Sequence, residues 1–264
     1  MAATLSLAIV ALNEEANLER VLKSMRWADE IVVVDSGSTD RTCDIAREYG
    51  ARVILEPWRG YTAQKNYALD LCTKDWVLSL DADEEVSPEL AEEIRGILAD
   101  PKALAGYSMP RKNLFLGRWM RHGGFYPDPK LRLFRRGLAY STGRDPHDRF
   151  EMKNDQMKDG PTKGGRRVGE LRGALTHHTY PTLTLYLEHM NRYSSVWNRV
   201  PGAVPRKFSL NDIVLRPLAT FIYNYFIRLG FLDGREGLLL HMYHAGYVSW
   251  KYAKAWEMGR DQKK

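Results

Sequence analysis

Four short apolar runs alternate with stretches of helical period over the first hundred residues, and this alternation limits the fold more than any other feature. Leu5–Leu12 is continuously apolar, after which Leu18, Val21, Leu22 and Met25 recur at helical spacing. Ile31-Val32-Val33-Val34 is a β-branched run ending at Asp35. Ser36-Gly37-Ser38 then leads into a helix carrying Ile45, Ala46 and Tyr49, closed by Gly50. Arg52–Leu55, Ala63–Leu71 and Trp76–Leu80 continue the series as strand, helix, strand. Strands this apolar need cover on both faces, which predicts an α/β fold with a mixed, mostly parallel sheet flanked by helices. Sheets of this kind bind ligands beyond the carboxyl ends of their strands.

Three polar clusters follow directly on strands: Asn13-Glu14-Glu15, Asp35-Ser36-Gly37-Ser38 and Asp81-Ala82-Asp83-Glu84-Glu85. Each has a local reading. Asn13 suits a helix cap, Asp35 a cap shared with Ser36 and Ser38, and the acidic turn a lead into the helix start at Ser87-Pro88-Glu89. Their coincidence at one sheet edge favours a binding site instead. On an extended backbone Asp81 and Asp83 point to the same side, about 7 Å apart. Such a pair repels unless a cation sits near it. Mg²⁺ or Mn²⁺, completed by substrate phosphates, matches oxygen ligands of this kind. Glu84 and Glu85 open a turn and are expected to be solvated, with Glu85 a weaker donor-site candidate.

Charge divides the chain. Residues 1–105 hold 11 Lys+Arg against 20 Asp+Glu, and residues 106–264 hold 28 against 13. The acidic part suits a metal and the basic part an anionic partner: a phosphorylated substrate, a membrane surface or, with no fold signature for it, nucleic acid. Lys130, Arg132, Arg135 and Arg136 punctuate Leu131, Leu133 and Phe134, which predicts a strand with cations on one face, open to an anionic acceptor or to solvent. Cys43 and Cys72 cannot form a disulfide framework, and no cationic region precedes Leu5–Leu12. Both point to a reducing, cytoplasmic setting.

Short strands are expected over Tyr107–Leu116, Tyr126–Arg136 and Leu138–Thr142, and a loop over Glu151–Gly169, which contains Asp155, Asp159, Gly160, Pro161, Gly164 and Gly165. From Leu183 the chain is helical and aromatic. Ile213–Leu232 has 14 apolar residues in 20, interrupted by Arg216, Pro217, Arg228 and Gly230. The two arginines penalise a spanning helix. Tyr223, Tyr225, Tyr243, Tyr247, Trp250, Tyr252 and Trp256, interleaved with basic residues, suit either an interfacial contact with the inner membrane or a buried helical pair. Three segments are expected: a nucleotide-sugar half over 1–105, an acceptor-side half over 106–182 and a helical extension over 183–264.

Val10-Ala11-Leu12-Asn13-Glu14-Glu15, Val32-Val33-Val34-Asp35-Ser36-Gly37-Ser38-Thr39-Asp40, Gln64-Lys65-Asn66 and Leu78-Ser79-Leu80-Asp81-Ala82-Asp83 together resemble the signatures of family 2 glycosyltransferases. The likeness continues through His147-Asp148-Arg149 and Gly230-Phe231-Leu232-Asp233-Gly234. The chain as a whole resembles the bacterial lipopolysaccharide core glucosyltransferases of that family. The resemblance implies a GT-A (Rossmann-like) sheet, a UDP-sugar donor, Mg²⁺ or Mn²⁺, and an anionic lipid-linked saccharide acceptor. It assigns Asn13, Glu14, Glu15, Asp35 and Ser38 to the base and ribose. Gln64, Lys65 and Asn66 go to the donor, Lys65 facing phosphate or, alternatively, a solvated helix face. Asp81 and Ala82 lie towards the ribose or a metal-bound water, and Asp83 is the metal ligand. His178, or its neighbour His177, reaches the metal or product phosphate. Asp148 is the base that takes the acceptor's proton in an inverting transfer, with His147 orienting it or touching the acceptor. The rival readings are a polyprenyl-phosphate sugar synthase, a sugar-nucleotide pyrophosphorylase, which would need a basic Gly-rich loop after the first strand, and a non-catalytic peripheral membrane module.

Overall fold

Each of the four apolar runs forms a strand in the computed structural model, which describes residues 2–144, 147–153, 168–199 and 208–261. They are β1 (Leu5–Ala11), β2 (Glu30–Asp35), β3 (Arg52–Leu55) and β4 (Trp76–Asp81), separated by α1 (Glu15–Ser24), α2 (Thr42–Glu48) and α3 (Tyr61–Asp70). After β4 come β5 (Glu84–Val86), α4 (Pro88–Ala99), β6 (Gly106–Met109), β7 (Arg111–Phe115), β8 (Arg118–Trp119) and β9 (Lys130–Arg135). The hairpin β10 (Ala139–Arg144) and β11 (His147–Met152), then β12 (Val168–Glu170) and β13 (Leu175–Tyr180), precede the C-terminal helices. The loop expected over Glu151–Gly169 lies largely outside the described residues, and so do its Asp155, Asp159, Gly160, Pro161, Gly164 and Gly165.

The chain forms two compact units, Met1–Arg111 with Asp128–His177, and Lys112–Pro127 with His178–Lys264. The first is built on a seven-stranded sheet of order β12-β6-β9-β4-β1-β2-β3. β4, β1, β2 and β3 run parallel, while β9 lies antiparallel to β4 and β6. Alternation along β1 explains the two-faced cover. Leu5, Leu7 and Ile9 pack with Leu18, Val21 and Leu22 of α1, whereas Ala8 packs with Val32, Val34 and the α3 residues Ala68 and Leu69. The register sets Ala11 opposite Asp35 and Val10 opposite Asp81, so the loops after β1, β2 and β4 leave the sheet at one level. Ser87 caps α4 through its bond from Leu90 N, as the sequence indicates. Asn13 is not a helix cap. Glu14 holds that position, and Asn13 takes φ +55°, a left-handed conformation that Asn tolerates.

In the second unit, α5 (Leu183–Arg199) and α7 (Gly234–Asp261) close over Phe115, Met120, Tyr186, Met190 and Leu240. Between them α6 (Arg216–Ile222) is flanked by π-helical turns over Asn211–Leu215 and Tyr223–Ile227. Among the described residues no helix is long and apolar enough to cross a membrane. The Gly230–Gly234 run has a packing reason. A Cβ at Gly230 would stand 2.2 Å from His241 Nε2, and one at Gly123 would stand 2.0 Å from His241 Cε1. Asp233 accepts from the backbone N of His122 and lies 2.9 Å from its Nδ1. His241 is buried with neither ring nitrogen hydrogen-bonded. Burial, reinforced by His244, pushes its pKa down to about 4.

A neutral buried histidine ties stability to pH with a definite sign. Its folded pKa lies below the unfolded value near 6.5, so the unfolded chain takes up the proton first as pH falls. The contribution of His241 to stability is therefore constant above about pH 6.5 and falls by roughly 3 kcal/mol towards pH 4. Urea unfolding between pH 7.5 and 4, read in His241→Phe against the natural protein, should show a shallower acid loss in the variant.

Candidate active site

β4 ends at Asp81, and Ala82-Asp83 form a turn into β5. The backbone between the two aspartates is therefore a turn, not the extended strand on which the alternation argument rests. Their surroundings differ accordingly. Asp81 is held by protein cations: Lys65 Nζ lies 2.7 Å from Oδ1 and Arg132 Nη2 2.5 Å from Oδ2. Burial alone would raise its pKa, but Arg132 and Lys65 outweigh that and hold the carboxyl well below the usual carboxylate range. Asp83 faces His177 instead, with Nε2 3.2 Å from Oδ2. Burial opposes ionisation there too, and His177 more than offsets it. His177 pairs across the strands with Glu84 of β5, and His178, the next residue of β13, is directed to the opposite face of that strand.

The cations have partners of their own. Lys65 Nζ also lies 2.8 Å from Asp148 Oδ2 on β11, so one ammonium joins the carboxylate at the end of β4 to the one on the hairpin. α3 buries Gln64, Lys65, Ala68 and Leu69 as one face, so Lys65 does not lie on a solvated helix surface. Arg132 bridges Asp81 and Glu84 (2.7 Å), and Arg111 bridges Glu84 (3.0 Å) and Asp128 (2.7 Å). Glu84 is fully buried and accepts from Asp81 N at 3.1 Å. Its expected solvation is thus corrected: two arginines compensate it where water would. Phe150 lies beneath both Lys65 and Arg132, at 5.9 and 5.7 Å. Because β9 runs antiparallel beside β4, the residue after Leu133 in that direction, Arg132, arrives at the carboxyl end of β4.

That position also revises the basic strand. Arg132 is consumed in the buried network, Arg135 stacks on Trp76 at 4.9 Å, Arg136 donates to the Lys74 carbonyl, and Lys130 pairs with Asp128. The four cations do not form one open anion-binding face.

The remaining loops are stitched to one another. Asp35, wholly buried, accepts from Gly37 N (2.9 Å), Ser38 N (2.8 Å) and the Ser38 hydroxyl. Ser38 Oγ in turn accepts from Asn13 N at 2.8 Å, and Asn13 Oδ1 accepts from Thr39 N. Glu14 N donates to Thr42 Oγ1, Glu15 N to Asp40, and Arg41 N to Glu15. Burial raises the Glu14 pKa, with Asp83 and Asp81 adding to it. Gln64 donates to Ser36 Oγ and the Glu56 carbonyl. Asn66 grips the backbone of Ser141 from both sides, donating to its carbonyl (2.9 Å) and accepting from its N–H (2.7 Å). These amides thus hold the β2 loop and the hairpin that carries Asp148. The His147 backbone pairs with Arg144 in that hairpin; its side chain and Pro146 lie outside the described residues. Sequence reasoning missed Arg111, Glu84 and Asp128, whose partners lie far apart in the chain. Only an unexplained polar residue among apolar ones, such as Arg132, could have hinted at them.

A mixed sheet with acidic loops beyond its parallel strands defines a ligand-binding protein of the open α/β class. The family model for glycosyl transferase family 2 matches residues 6–168, and the chain belongs to that family: it is a glycosyltransferase. It is 48% identical over 237 residues to an uncharacterized glycosyltransferase of Rickettsia conorii, covering 88% of this chain and 82% of that one. It is 32% identical over 239 residues to the lipopolysaccharide core biosynthesis glycosyltransferase LpsC of Rhizobium meliloti, covering 87% and 82%. Among solved structures it is similar to glucosyl-3-phosphoglycerate synthase from Mycobacterium tuberculosis in complex with Mn²⁺, UDP and glucosyl-3-phosphoglycerate. That match covers 75% of this chain and 80% of that one, at 20% identity and a TM-score of 0.48.

Removing one member of the buried network strands the others. Glu84→Gln should lower stability by about 3 kcal/mol in urea denaturation. Arg132→Met in the same background should add less than its own single cost, because the two share one interaction.

Proposed function

We propose that the protein transfers a hexose, glucose from UDP-glucose, with inversion onto an anionic lipid-linked saccharide such as lipopolysaccharide inner core. The observation that carries this reading is the separation of Asp81 from Asp83. Asp81 is already neutralised by Lys65 and Arg132, whereas Asp83 is paired with the His177 imidazole. Among the described residues no three carboxylate, His or Cys side chains gather as a ready metal cage. A carboxylate and an imidazole nitrogen suit Mg²⁺ or Mn²⁺ as a two-ligand site completed by diphosphate oxygens and water. Asp83 and His177 would hold the ion, with His177 taking the place the resemblance gives to His178. When bound there, an ion would supply Lewis-acid neutralisation of the nucleoside diphosphate leaving group.

Asn13, Glu14, Glu15, Asp35 and Ser38 form the base and ribose side. Their interlocked backbone amides fix the carboxylates in position. Asp81 and Ala82 border the ribose, Gln64 and Asn66 hold the surrounding loops, and Lys65 stands where it can meet donor phosphate. Asp148 accepts the proton of the attacking acceptor hydroxyl, and His147 orients that carboxylate or meets the acceptor. Residues 1–105 serve as the donor half, 106–182 as the acceptor side and 183–264 as a helical extension.

The same reading places the enzyme at the cytoplasmic face of the inner membrane. Leu215, Leu218 and Ile227 are 57, 53 and 67% exposed, and Val214, Leu218 and Ile222 recur every four residues on one helical face. Arg216 and Arg228 flank this surface, which suits an interfacial helix contacting anionic lipid.

Asp148→Asn should lower turnover by roughly 10²- to 10⁴-fold while UDP affinity in Mn²⁺ stays unchanged. Unaltered turnover would remove Asp148 as the base. Val214→Glu with Leu218→Glu should abolish sedimentation with anionic vesicles without changing hydrolysis of UDP-glucose. Persistent sedimentation would contradict the membrane assignment.

A further inference from the structure

With the cations of β9 spent on protein partners, other cations of the basic half are left to meet an anionic group. Within the second unit, β7 and β8 pair with Leu114 opposite Trp119, so Lys112, two residues back on the same face as Leu114, reaches the indole diagonally. Its Nζ lies 4.9 Å from the Trp119 ring centroid, and the Arg121 guanidinium lies over the same ring at 4.2 Å. Among the described residues, no carboxylate lies within 4.0 Å of Lys112 or Arg121. The Trp119 indole N–H is buried and likewise lacks an acceptor. Two cations thus meet at one indole whose own donor is orphaned. Ring contacts hold Lys112 and Arg121 in place, and among the described residues no carboxylate offsets their charge.

We infer that Lys112 and Arg121 form a recognition site for a phosphate or carboxylate group on the acceptor saccharide. The inference rests on the glycosyl-transfer reading and adds to it where the acceptor's charge is met. A guanidinium offers planar paired donors to phosphate, and an ammonium a point charge. The ring of Tyr126, packed against Trp119 at 5.0 Å between centroids, supplies apolar surface beside them for the sugar body. The exposed apolar residues suited to lipid lie mainly in the 208–232 segment, whereas Lys112 and Arg121 sit on a hairpin and its following turn, so the saccharide is the assigned source of the anion.

The test uses the full-length ¹⁵N-labelled protein, with the Trp119 indole signal identified through Trp119→Phe. The probes are a disaccharide phosphomonoester, the same neutral disaccharide, and vesicles with and without anionic phospholipid. The phosphomonoester should shift the Trp119 signal saturably, with the neutral disaccharide at least about tenfold weaker. Lys112→Gln/Arg121→Gln should weaken phosphomonoester binding by about tenfold or more, Lys112→Arg/Arg121→Lys should retain it, and neither should alter UDP affinity. Equal affinity in the Gln variant and the natural protein overturns the site. A Trp119 response to anionic vesicles alone overturns the saccharide assignment. A wild-type protein that binds the phosphomonoester as stated but never turns over a UDP-sugar defeats the glycosyl-transfer reading, not the anion site.

Discussion

Two cations at the end of one strand decide how this site is organised. Lys65 and Arg132 occupy both oxygens of Asp81, and each reaches a second carboxylate, Asp148 or Glu84. Three carboxylates and two cations brought this far out of water would be costly singly. Together they offset one another, and the network extends to Arg111 and Asp128. The same contacts tie α3, β4, β9 and β11 together, so the electrostatics of the site and the closure of the first unit share one set of residues. A site held by side chains on strands and a buried helix face is fixed before any ligand arrives.

This compensation leaves the neighbouring carboxylate as the distinct one. Asp83 sits in the turn after β4 with His177 as its partner, and Glu14 lies close enough to feel both aspartates. The acidic motif therefore has two parts with different chemistry: one carboxylate satisfied by the protein, and one paired with an imidazole, itself a metal-ligand type. The β1 and β2 loops, locked through Asn13, Asp35 and Ser38, stand level with it because the parallel register makes them so.

The alternating architecture was legible because buried parallel strands and amphipathic helices have different periods, and Arg52–Leu55 emerged with the boundaries read from sequence. The convergence of Asn13, Asp35 and Asp81 followed from the same pattern. The geometry between Asp81 and Asp83 did not, since where a strand ends and a turn begins depends on β5 finding β13. Arg132 looked like one member of an exposed basic strand. Its burial depends on β9 lying beside β4, a pairing across more than fifty residues that no local period reports. Asn66 and Gln64 were legible as part of a motif but not as residues that grip backbone. The preference for His177 over His178 turns on strand alternation, which fixes that one faces Asp83 but not which.

The central claim is that Asp81 is neutralised by the protein while Asp83 and His177 receive the ion. Paramagnetic broadening of the histidine side-chain signals, recorded as Mn²⁺ is titrated into the full-length protein with UDP, tests it most directly. The account predicts that the His177 imidazole broadens at substoichiometric Mn²⁺, and that Asp83→Asn abolishes this broadening. A His177 signal that persists once UDP and Mn²⁺ are bound would contradict it.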